Sequence, residues 1–507
     1  MPPLRPFVPR PRAILRLGGW LLLAAGAVWL TVAAGFATQA WWRLPDLSAW
    51  HTIGLTHEFR ADQPDAPASF DAYLAREALL FDEVDRRIYR DPQAAGRDPY
   101  GRYTPGSPGA RLALDPAGNR SAVLPAAAPQ GAVLLVHGLS DAPYMMRSIG
   151  EALRERGLTV VTLRLPGHGT VPGALTGVDR EDWSAAVALA ARHAAGLAGD
   201  GRPFYIAGYS TGAALAVLHA LRAIDDPTLA MPTRLFLFAP AIGISSAAAI
   251  ARVAADLAVV PGLEKARWLD VLPEYDPYKY NSFPVNAARQ IWGLTRELDR
   301  RLRAAQAAGT LARLPRITAF QSMVDATVRA ADLGSRLFGR LPAAGHELVV
   351  FDVNRRDFLS GLIAPEPMRA FLAMTAAPAL PFRLSVVGNR IPESAEVVER
   401  IREPGQAGAA VVDLGLRWPA GVVSLGHLAL TLPMDDPIYG LTPAPRPGER
   451  AFTLGGSAPS GEGGSLLMPL GDLARLRSNP FFPVIVERLQ SALRADLARP
   501  GPGGARP

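Results

Sequence analysis

A serine flanked by glycines is the feature of this sequence that most clearly indicates chemistry. The segment GYSTG at 208–212 matches the pattern G-x-S-x-G. The apolar run 204–207 before it predicts a strand, and 211–223 after it predicts a helix. In that context the pattern predicts a tight, strained turn that exposes the Ser210 hydroxyl as a nucleophile. An ordinary glycine-rich turn between a strand and a helix is the alternative interpretation.

A second motif, HGL at 137–139, directly follows the apolar run 132–136. Nucleophilic attack on an acyl carbonyl creates an oxyanion, which two backbone N–H groups must stabilise. The amide of Thr211, at the start of the helix, and the amide of Leu139 are the predicted donors. For His137 itself we predict a structural role, because a general base also needs an acid partner.

Strand, loop and helix alternate along the centre of the chain, which predicts a mainly parallel sheet with helices on both faces. No internal repeat interrupts this order. The predicted strands are 132–136, 159–163, 204–207, 234–238, 316–321, 348–351, 382–387 and 421–425. Between 241 and 315 no strand is evident, and helical stretches alternate with prolines, which favours a helical cap inserted over the sheet edge.

The stretch from Gly131 to about Gly440 resembles the α/β-hydrolase family and, within it, the bacterial lysophospholipase and monoacylglycerol-lipase-like group. The segments that carry the resemblance, in the order typical of the family, are LLVHGLSDAPYMMRSIGEAL, VTLRLPGHGT, DWSAAV, IAGYSTGAALA, FLFAPAIG, FQSMVDATV and LGHLALTLPMDDPIYG. The resemblance implies an α/β-hydrolase fold, a Ser–Asp–His triad, an acyl-enzyme intermediate, no metal or organic cofactor, and a cap that shapes the acyl pocket.

Asp325 is the predicted acid of the triad. It lies just beyond the predicted strand 316–321, at the carboxyl end where α/β active sites form. Its S-x-x-D-x-x-V surroundings also resemble those of the family. Asp352 is the rival, because it too ends an apolar strand.

His427 is the predicted base, although it lies far beyond the acid and His346 lies much nearer in sequence. His346 stands before the predicted strand 348–351, hence at its amino end, whereas a nucleophile turn lies at the carboxyl ends of the strands. His427 follows the predicted strand 421–425 and would lie at a carboxyl end. The long interval between Asp325 and His427 then requires an insertion, and the sequence between 355 and 411 predicts strand and helix segments that could form it. A surface histidine in a loop is the alternative for His427.

These residues predict a serine hydrolase that cleaves carboxylic esters, with small-molecule or lipid-derived esters as substrates. An acyltransferase with the same triad and a non-catalytic membrane-anchored binding protein are the alternatives. No His-Glu-x-x-His pattern occurs, and His168 has no second ligand at metal spacing, so we expect no metal site. No phosphate-binding loop pattern supports a nucleotide cofactor.

Composition excludes several classes of protein. With 49% hydrophobic and 20% charged residues, the 507-residue chain is not intrinsically disordered. It contains no cysteine, which excludes thiolate nucleophiles, cysteine-ligated metals and disulfides. The net charge of +7 owes much to arginines before the first apolar run, and no basic patch with interleaved aromatic residues points to nucleic acid. The sequence does not indicate an oligomeric state.

The amino-terminal region predicts a membrane anchor. Residues 17–40 carry no charge and are long enough to cross a bilayer core of roughly 30 Å. Four arginines precede this run and Trp41 and Trp42 follow it, which predicts a cytoplasmic amino terminus and a catalytic domain on the extracytoplasmic side. A cleaved signal peptide is the alternative, with small residues available for cleavage.

The predicted organisation follows from these boundaries. It comprises a cytoplasmic basic arm 1–16, a transmembrane helix 17–40, a linker with an amphipathic helical segment 41–106, an α/β-hydrolase domain 107–497 with its cap insertion 241–315, and a flexible tail 498–507.

Overall fold

The computed structural model describes most of the chain, and the structural statements below concern the residues that it describes. These are a few positions between 20 and 38 and the ranges 42–243, 264–363, 365–443, 452–455 and 475–498. The predicted arm 1–16, most of the predicted span 17–40 and nearly all of the tail 498–507 lie outside them. Among the described helices, none combines the length and apolar character that crossing a bilayer requires.

The described residues form strands with the following bounds: β1 Ala122–Leu124, β2 Gly131–Val136, β3 Leu158–Leu163, β4 Phe204–Tyr209, β5 Arg234–Phe238, β6 Trp268–Asp270, β7 Phe283–Pro284, β8 Arg316–Ser322, β9 Glu347–Phe351, β10 Arg383–Asn389, β11 Glu396–Arg402 and β12 Ala410–Arg417. Ten of them form one sheet in the order β1-β3-β2-β4-β5-β8-β9-β10-β11-β12. From β3 to β10 all neighbours are parallel, and β1, β11 and β12 add antiparallel edges. The predicted fold class, a mainly parallel α/β-hydrolase sheet, is confirmed.

The helices are α1 Ala49–Thr52, α2 Phe70–Val84, α3 Pro108–Leu114, α4 Pro116–Asn119, α5 Arg147–Arg154, α6 Arg180–Ala198, α7 Thr211–Ala223, α8 Val285–Ala307, α9 Ala330–Arg336, α10 Pro365–Thr375 and α11 Phe482–Leu497. Helices α6, α7 and α8 cover one face of the sheet, and α5 and α11 cover the other. Strands β2 and β4 are therefore buried along their whole length, which explains their continuous apolar runs.

The predicted strand 421–425 is wrong. Its residues form no strand; instead they run across the carboxyl ends of β8 and β9. There the backbone carbonyl groups of Val423 and Leu425 accept hydrogen bonds from Asn354 N–H (2.8 Å) and Ser322 Oγ (2.9 Å). The sheet is extended instead by β10 and the antiparallel hairpin β11–β12, which fill the interval between the predicted acid and base.

The described part of the predicted cap 241–315 is only partly a cap. Helix α8 packs its apolar stripe, including Leu294, Leu298 and Leu302, into the same core as α7, so it belongs to the helical layer of the domain. The preceding segment contains β6 and β7, a short antiparallel pair that the sequence analysis did not predict. Residues 244–263 lie outside the described residues.

The segment 43–68, predicted as part of a linker, packs against the domain. Arg164, fully buried after β3, forms ion pairs with Glu58 (3.0 Å) and with Glu77 of α2 (2.8 Å). Burial raises the pKa of Glu77, although the Arg164 guanidinium opposes this effect. The predicted amphipathic helix is present, and the Ser69 hydroxyl accepts a hydrogen bond from Ala72 N–H at its start.

Candidate active site

Ser210 occupies the turn between β4 and α7 in a strained backbone conformation. Its φ of 52° and ψ of −112° are values that residues other than glycine rarely adopt. The turn is held by hydrogen bonds to the next strand: Ser210 N–H donates to the Phe238 carbonyl (2.8 Å), and Ala241 N–H donates to the Ser210 carbonyl (3.1 Å). These hydrogen bonds stabilise a backbone conformation that is unfavourable for an isolated serine.

The glycines on either side of Ser210 are required by close backbone approach. A Cβ atom at Gly208 would lie 2.5 Å from the carbonyl oxygen of Gly212. A Cβ atom at Gly212 would lie 2.2 Å from the carbonyl oxygen of Val136, at the end of β2. The turn therefore packs directly against the strand that leads into the HGL motif.

The structure brings together the three predicted triad residues, which are all buried. His427 Nε2 lies 3.0 Å from Ser210 Oγ, and His427 Nδ1 lies 2.6 Å from Asp325 Oδ2. An Nδ1–H that donates to the carboxylate leaves Nε2 free to accept the serine proton. This arrangement provides a nucleophile, a base and a group that orients the base.

Asp325 lies in the turn after β8, where backbone donors surround its carboxylate. Oδ1 accepts hydrogen bonds from Thr327 N–H (2.8 Å) and Val328 N–H (2.9 Å), and Oδ2 accepts one from Gln321 Nε2 (3.1 Å). Burial alone would raise the pKa of Asp325, but the adjacent His427 ring and these N–H groups outweigh burial and hold the pKa below its usual value. The carboxylate is therefore ionised where it meets the imidazole.

His427 begins a short 3-10 helix, His427–Ala429, rather than following a strand. Its position depends on contacts with neighbouring strand ends. Tyr209, the residue before the serine, donates its hydroxyl to the His427 carbonyl (3.3 Å), and its ring packs against the imidazole. The bonds of Ser322 and Asn354 to the preceding segment complete this support.

The rival residues have other partners. His346 lies at the amino end of the sheet, where its Nδ1 accepts a hydrogen bond from Ile317 N–H (3.2 Å), and burial lowers its pKa to about 4. Asp352 forms an ion pair with Arg355 and accepts a hydrogen bond from its neighbour Val353. Neither residue contacts Ser210.

The predicted oxyanion donors lie on the two segments that adjoin the serine turn, the start of α7 and the loop after β2. Thr211 is the first residue of α7, so its N–H has no partner within the helix. Leu139 follows β2 in a loop held by His137, whose Nε2 accepts a hydrogen bond from Leu165 N–H (3.0 Å) while its Nδ1 lies 2.8 Å from the Gly138 carbonyl. Burial lowers the pKa of His137 to about 3, so the imidazole is neutral and structural.

Lys279, which no sequence pattern indicated, contacts this loop. Ser140, next to Leu139, has a φ of 62°, another value that is rare for a residue other than glycine. Lys279 Nζ donates to Ser140 Oγ (2.8 Å) and to Asp141 Oδ1 (2.7 Å), and Tyr280 N–H donates to the Ser140 carbonyl (2.8 Å). Burial raises the pKa of Asp141, and the Lys279 ammonium opposes that rise.

The one sequence feature that could have drawn attention to Lys279 is the rarity of lysine in this chain. Lys279 is one of two lysines in the chain, and no local pattern links it to a loop so far away in sequence. For metal ligation, the described residues contain no cluster of histidine and acidic side chains that could hold an ion.

The sheet order and the serine turn with its acid and histidine partners together define an α/β-hydrolase domain. Residues 127–349 match the model of a family described as serine aminopeptidase, S33. The predicted resemblance to the α/β-hydrolases is therefore confirmed.

Known proteins similar to this chain include a thermostable monoacylglycerol lipase from Bacillus sp. (strain H-257). It is 44% identical over 55 residues, which are 11% of this chain and 22% of that relative. The chain therefore matches less than a quarter of that relative's length.

Among solved structures, a protein from a study of the metagenome-derived lipolytic enzymes LipS and LipT has a TM-score of 0.37 and 21% identity, covering 51% of this chain and 98% of its own. A soluble variant of monoglyceride lipase from Saccharomyces cerevisiae has a TM-score of 0.35 and 12% identity, covering 46% and 82%. The fold assignment rests on the topology described above and not on these scores.

The close approach at Gly212 predicts a stability difference between two glycine variants. Gly212→Ala should lower the free energy of unfolding by about 3 kcal/mol, because the added methyl group meets the backbone of β2. Gly196→Ala, on the exposed side of α6 where a Cβ meets nothing, should raise it by about 0.5–1 kcal/mol through helix propensity. Urea titration of both variants measures the difference, and equal stability would contradict the packing described here.

Proposed function

We propose that this protein is a serine hydrolase that cleaves carboxylic esters through an acyl-enzyme intermediate. The observation that carries the proposal is the hydrogen-bonded chain from Asp325 through His427 to Ser210, with distances of 2.6 and 3.0 Å. The strained turn at Ser210 supports it, because strain at a buried polar residue is typical of functional sites.

In the proposed reaction, Ser210 Oγ attacks the acyl carbonyl carbon while its proton passes to His427 Nε2. The tetrahedral intermediate then breaks down, the histidine returns the proton to the leaving alcohol, and the acyl group stays on Oγ. Water attacks this ester, the histidine takes a proton from the water, and the same proton returns to Oγ as the carboxylic acid leaves. Asp325 holds the imidazole in the tautomer that both steps require.

The backbone N–H groups of Leu139 and Thr211 are proposed to stabilise the oxyanion of both tetrahedral intermediates. Both amides flank the nucleophile, one on the loop after β2 and one at the start of α7. A preformed pair of donors in a buried site contributes more than the same donors in water, because the donors need no reorganisation during the reaction.

Lipid-derived esters are the proposed substrate class. The similar segment of the Bacillus monoacylglycerol lipase and the apolar run 17–40 both favour an ester that partitions into a bilayer. The family model carries the name of a peptidase, so peptide amides belong in the same assay panel. Product analysis with an added acceptor alcohol distinguishes hydrolysis from acyl transfer.

Fluorophosphonate labelling tests the nucleophile and the base. Ser210→Ala should abolish labelling and lower ester turnover by about ten-thousandfold or more, because only the nucleophile is removed. His427→Ala should do the same, whereas His346→Ala should leave both largely unchanged, since His346 lies at the other end of the sheet. Full labelling of the His427→Ala variant would contradict the proposed base.

A matched pair of aspartates provides the control for the acid. Asp325→Asn should lower turnover by about ten-thousandfold through the wrong imidazole tautomer, with little loss of folding. Asp352→Asn breaks the ion pair with Arg355 and should leave turnover near that of the wild type. The reverse pattern would reassign the acid to Asp352.

Lys279 is proposed as a positioning residue for the oxyanion donor Leu139. Lys279→Met should lower kcat by about a hundredfold with little change in KM, because a displaced donor affects the transition state more than substrate binding. Lys265→Met, at the other lysine of the chain, should change neither constant, since Lys265 contacts exposed Asp46.

Two further variants separate positioning from folding. Lys279→Arg retains the charge and should recover part of kcat. The double variant Lys279→Met with Asp141→Asn removes both members of the ion pair and leaves no unpaired charge at buried position 141, so its fold should survive while kcat stays low. Wild-type kcat in the folded double variant would disprove the positioning role.

The proposed location is the membrane, with residues 17–40 as a single-pass anchor and the catalytic domain on the extracytoplasmic side. The charge asymmetry around the apolar run supports this topology. We expect the full chain to remain in the membrane pellet after alkaline washing, and a protease added to intact spheroplasts should degrade the domain. Release of the whole domain into the soluble fraction would instead indicate a cleaved signal.

A further inference from the structure

Three exposed apolar side chains lie on two neighbouring loops at the carboxyl edge of the sheet. Phe358 and Leu362, on the 3-10 helix Phe358–Leu362 after β9, are 81% and 76% exposed, and Ile391, after β10, is 54% exposed. Single exposed apolar residues are ordinary, but a group on adjacent loops indicates a binding surface. We call these three residues the apolar edge.

The two loops of the apolar edge are held side by side. Asn389 Oδ1 accepts a hydrogen bond from Arg355 N–H (2.8 Å), and Asn389 Nδ2 donates to Asn354 Oδ1 (3.1 Å). These bonds hold the loop that carries Phe358 against the loop that carries Ile391. The two loops of the apolar edge are therefore fixed relative to each other by hydrogen bonds.

The apolar edge also adjoins the segment that carries the base. Asn354 donates from its backbone N–H to the Val423 carbonyl (2.8 Å) and from Nδ2 to the Val422 carbonyl (2.9 Å). Val423 lies four residues before His427 in the sequence. A surface that docks against the apolar edge would therefore lie beside the triad.

The chain enters the domain from the predicted span at this same edge. Helix α1 packs on the 3-10 helix Pro172–Thr176, which lies between the carboxyl end of β3 and the start of α6. Because α6 runs back antiparallel to the strands, its start must lie at the carboxyl edge. Trp42, two residues after the predicted span 17–40, is 81% exposed.

Charged side chains of both signs border the apolar edge, including exposed Glu393, two residues after Ile391. Arg355 and Arg356 are exposed and precede Asp357, the N-cap residue of the helix of Phe358. Arg355 pairs with Asp352, and Arg356 makes no ion pair within the described part of the chain. Asp357 uses its carboxylate to cap the same helix at Leu359 N–H.

We infer that the carboxyl edge of the sheet faces the bilayer, with Phe358, Leu362 and Ile391 inserted at the boundary of headgroups and acyl chains. The entry point of the chain from residues 17–40 and the apolar edge would then contact one membrane at two separate places. This contact fixes the orientation of the domain. As an extension that rests on the proposed function, an ester would reach Ser210 directly from the bilayer.

The absence of cysteine allows a test with single cysteines in the full chain. Gly361→Cys places a thiol between Phe358 and Leu362, and Gly196→Cys places one on exposed α6 near the amino edge of the sheet; a Cβ meets nothing at either site. Each variant carries a polarity-sensitive fluorophore and is reconstituted in vesicles of phosphatidylcholine and phosphatidylglycerol. We expect blue-shifted emission and quenching by lipid-attached spin labels at residue 361, and water-like emission at residue 196.

Each other outcome overturns the inference. Water-like emission at both sites shows that the edge does not touch lipid, and a chain that fails to associate with the vesicles has the same meaning. A blue shift at residue 361 that grows with the number of chains per vesicle indicates a protein neighbour instead. None of these readouts requires catalysis, so their failure is distinct from failure of the proposed hydrolase activity.

Hydrolysis provides a second readout for the extension to substrate delivery. The double variant Phe358→Ser with Leu362→Ser should hydrolyse an ester embedded in vesicles about tenfold more slowly, because apolar contact with the bilayer is lost. Its rate with a short-chain soluble ester should equal that of the wild type. Equal loss with both esters would point to a defect at the triad, and no loss with either would contradict delivery from the bilayer.

Discussion

The hydrogen bond between His427 Nδ1 and Asp325 Oδ2 joins residues that are 102 positions apart, and the rest of the site depends on it. The bond requires the loop with His427 to lie over the carboxyl ends of β8 and β9 although β10, β11 and β12 intervene in the chain. The inserted strands extend the sheet sideways and leave its central order unchanged. The addition of strands at one edge of the sheet is thus compatible with an unchanged arrangement of the triad residues.

Some features of the site were readable from sequence because they are local. The turn at Ser210 lies within five residues between two apolar runs, and Asp325 follows its strand directly. His427 was predicted to follow a strand at 421–425, which the structure does not contain, whereas His346 does precede a strand, β9. A residue before a parallel strand lies at the amino end whatever follows later in the chain.

Other features depend on contacts between segments that are far apart in the sequence. Such contacts produce no repeating pattern of residue types from which they could be predicted. The contact of Lys279 with Ser140 and the burial of Glu58 beside Arg164 join residues more than 100 positions apart. A buried arginine with two carboxylates looks, in sequence, like three ordinary surface charges. For the same reason a packed segment at 43–68 was predicted as a linker.

The packed segment 43–68 attaches the amino-terminal part of the described chain to the hydrolase domain. The segment between the predicted span and the sheet is joined to the loop after β3 by the Glu58–Arg164 pair. Removal of Arg164 would leave the buried carboxylates of Glu58 and Glu77 without their cation. Arg102 strengthens the connection, since its guanidinium donates to the Gly169 carbonyl and packs over the Tyr280 ring. Tyr280 in turn donates its backbone N–H to Ser140, beside the proposed oxyanion donor. Through these contacts the segment after residue 42 is connected to the loops around Ser210.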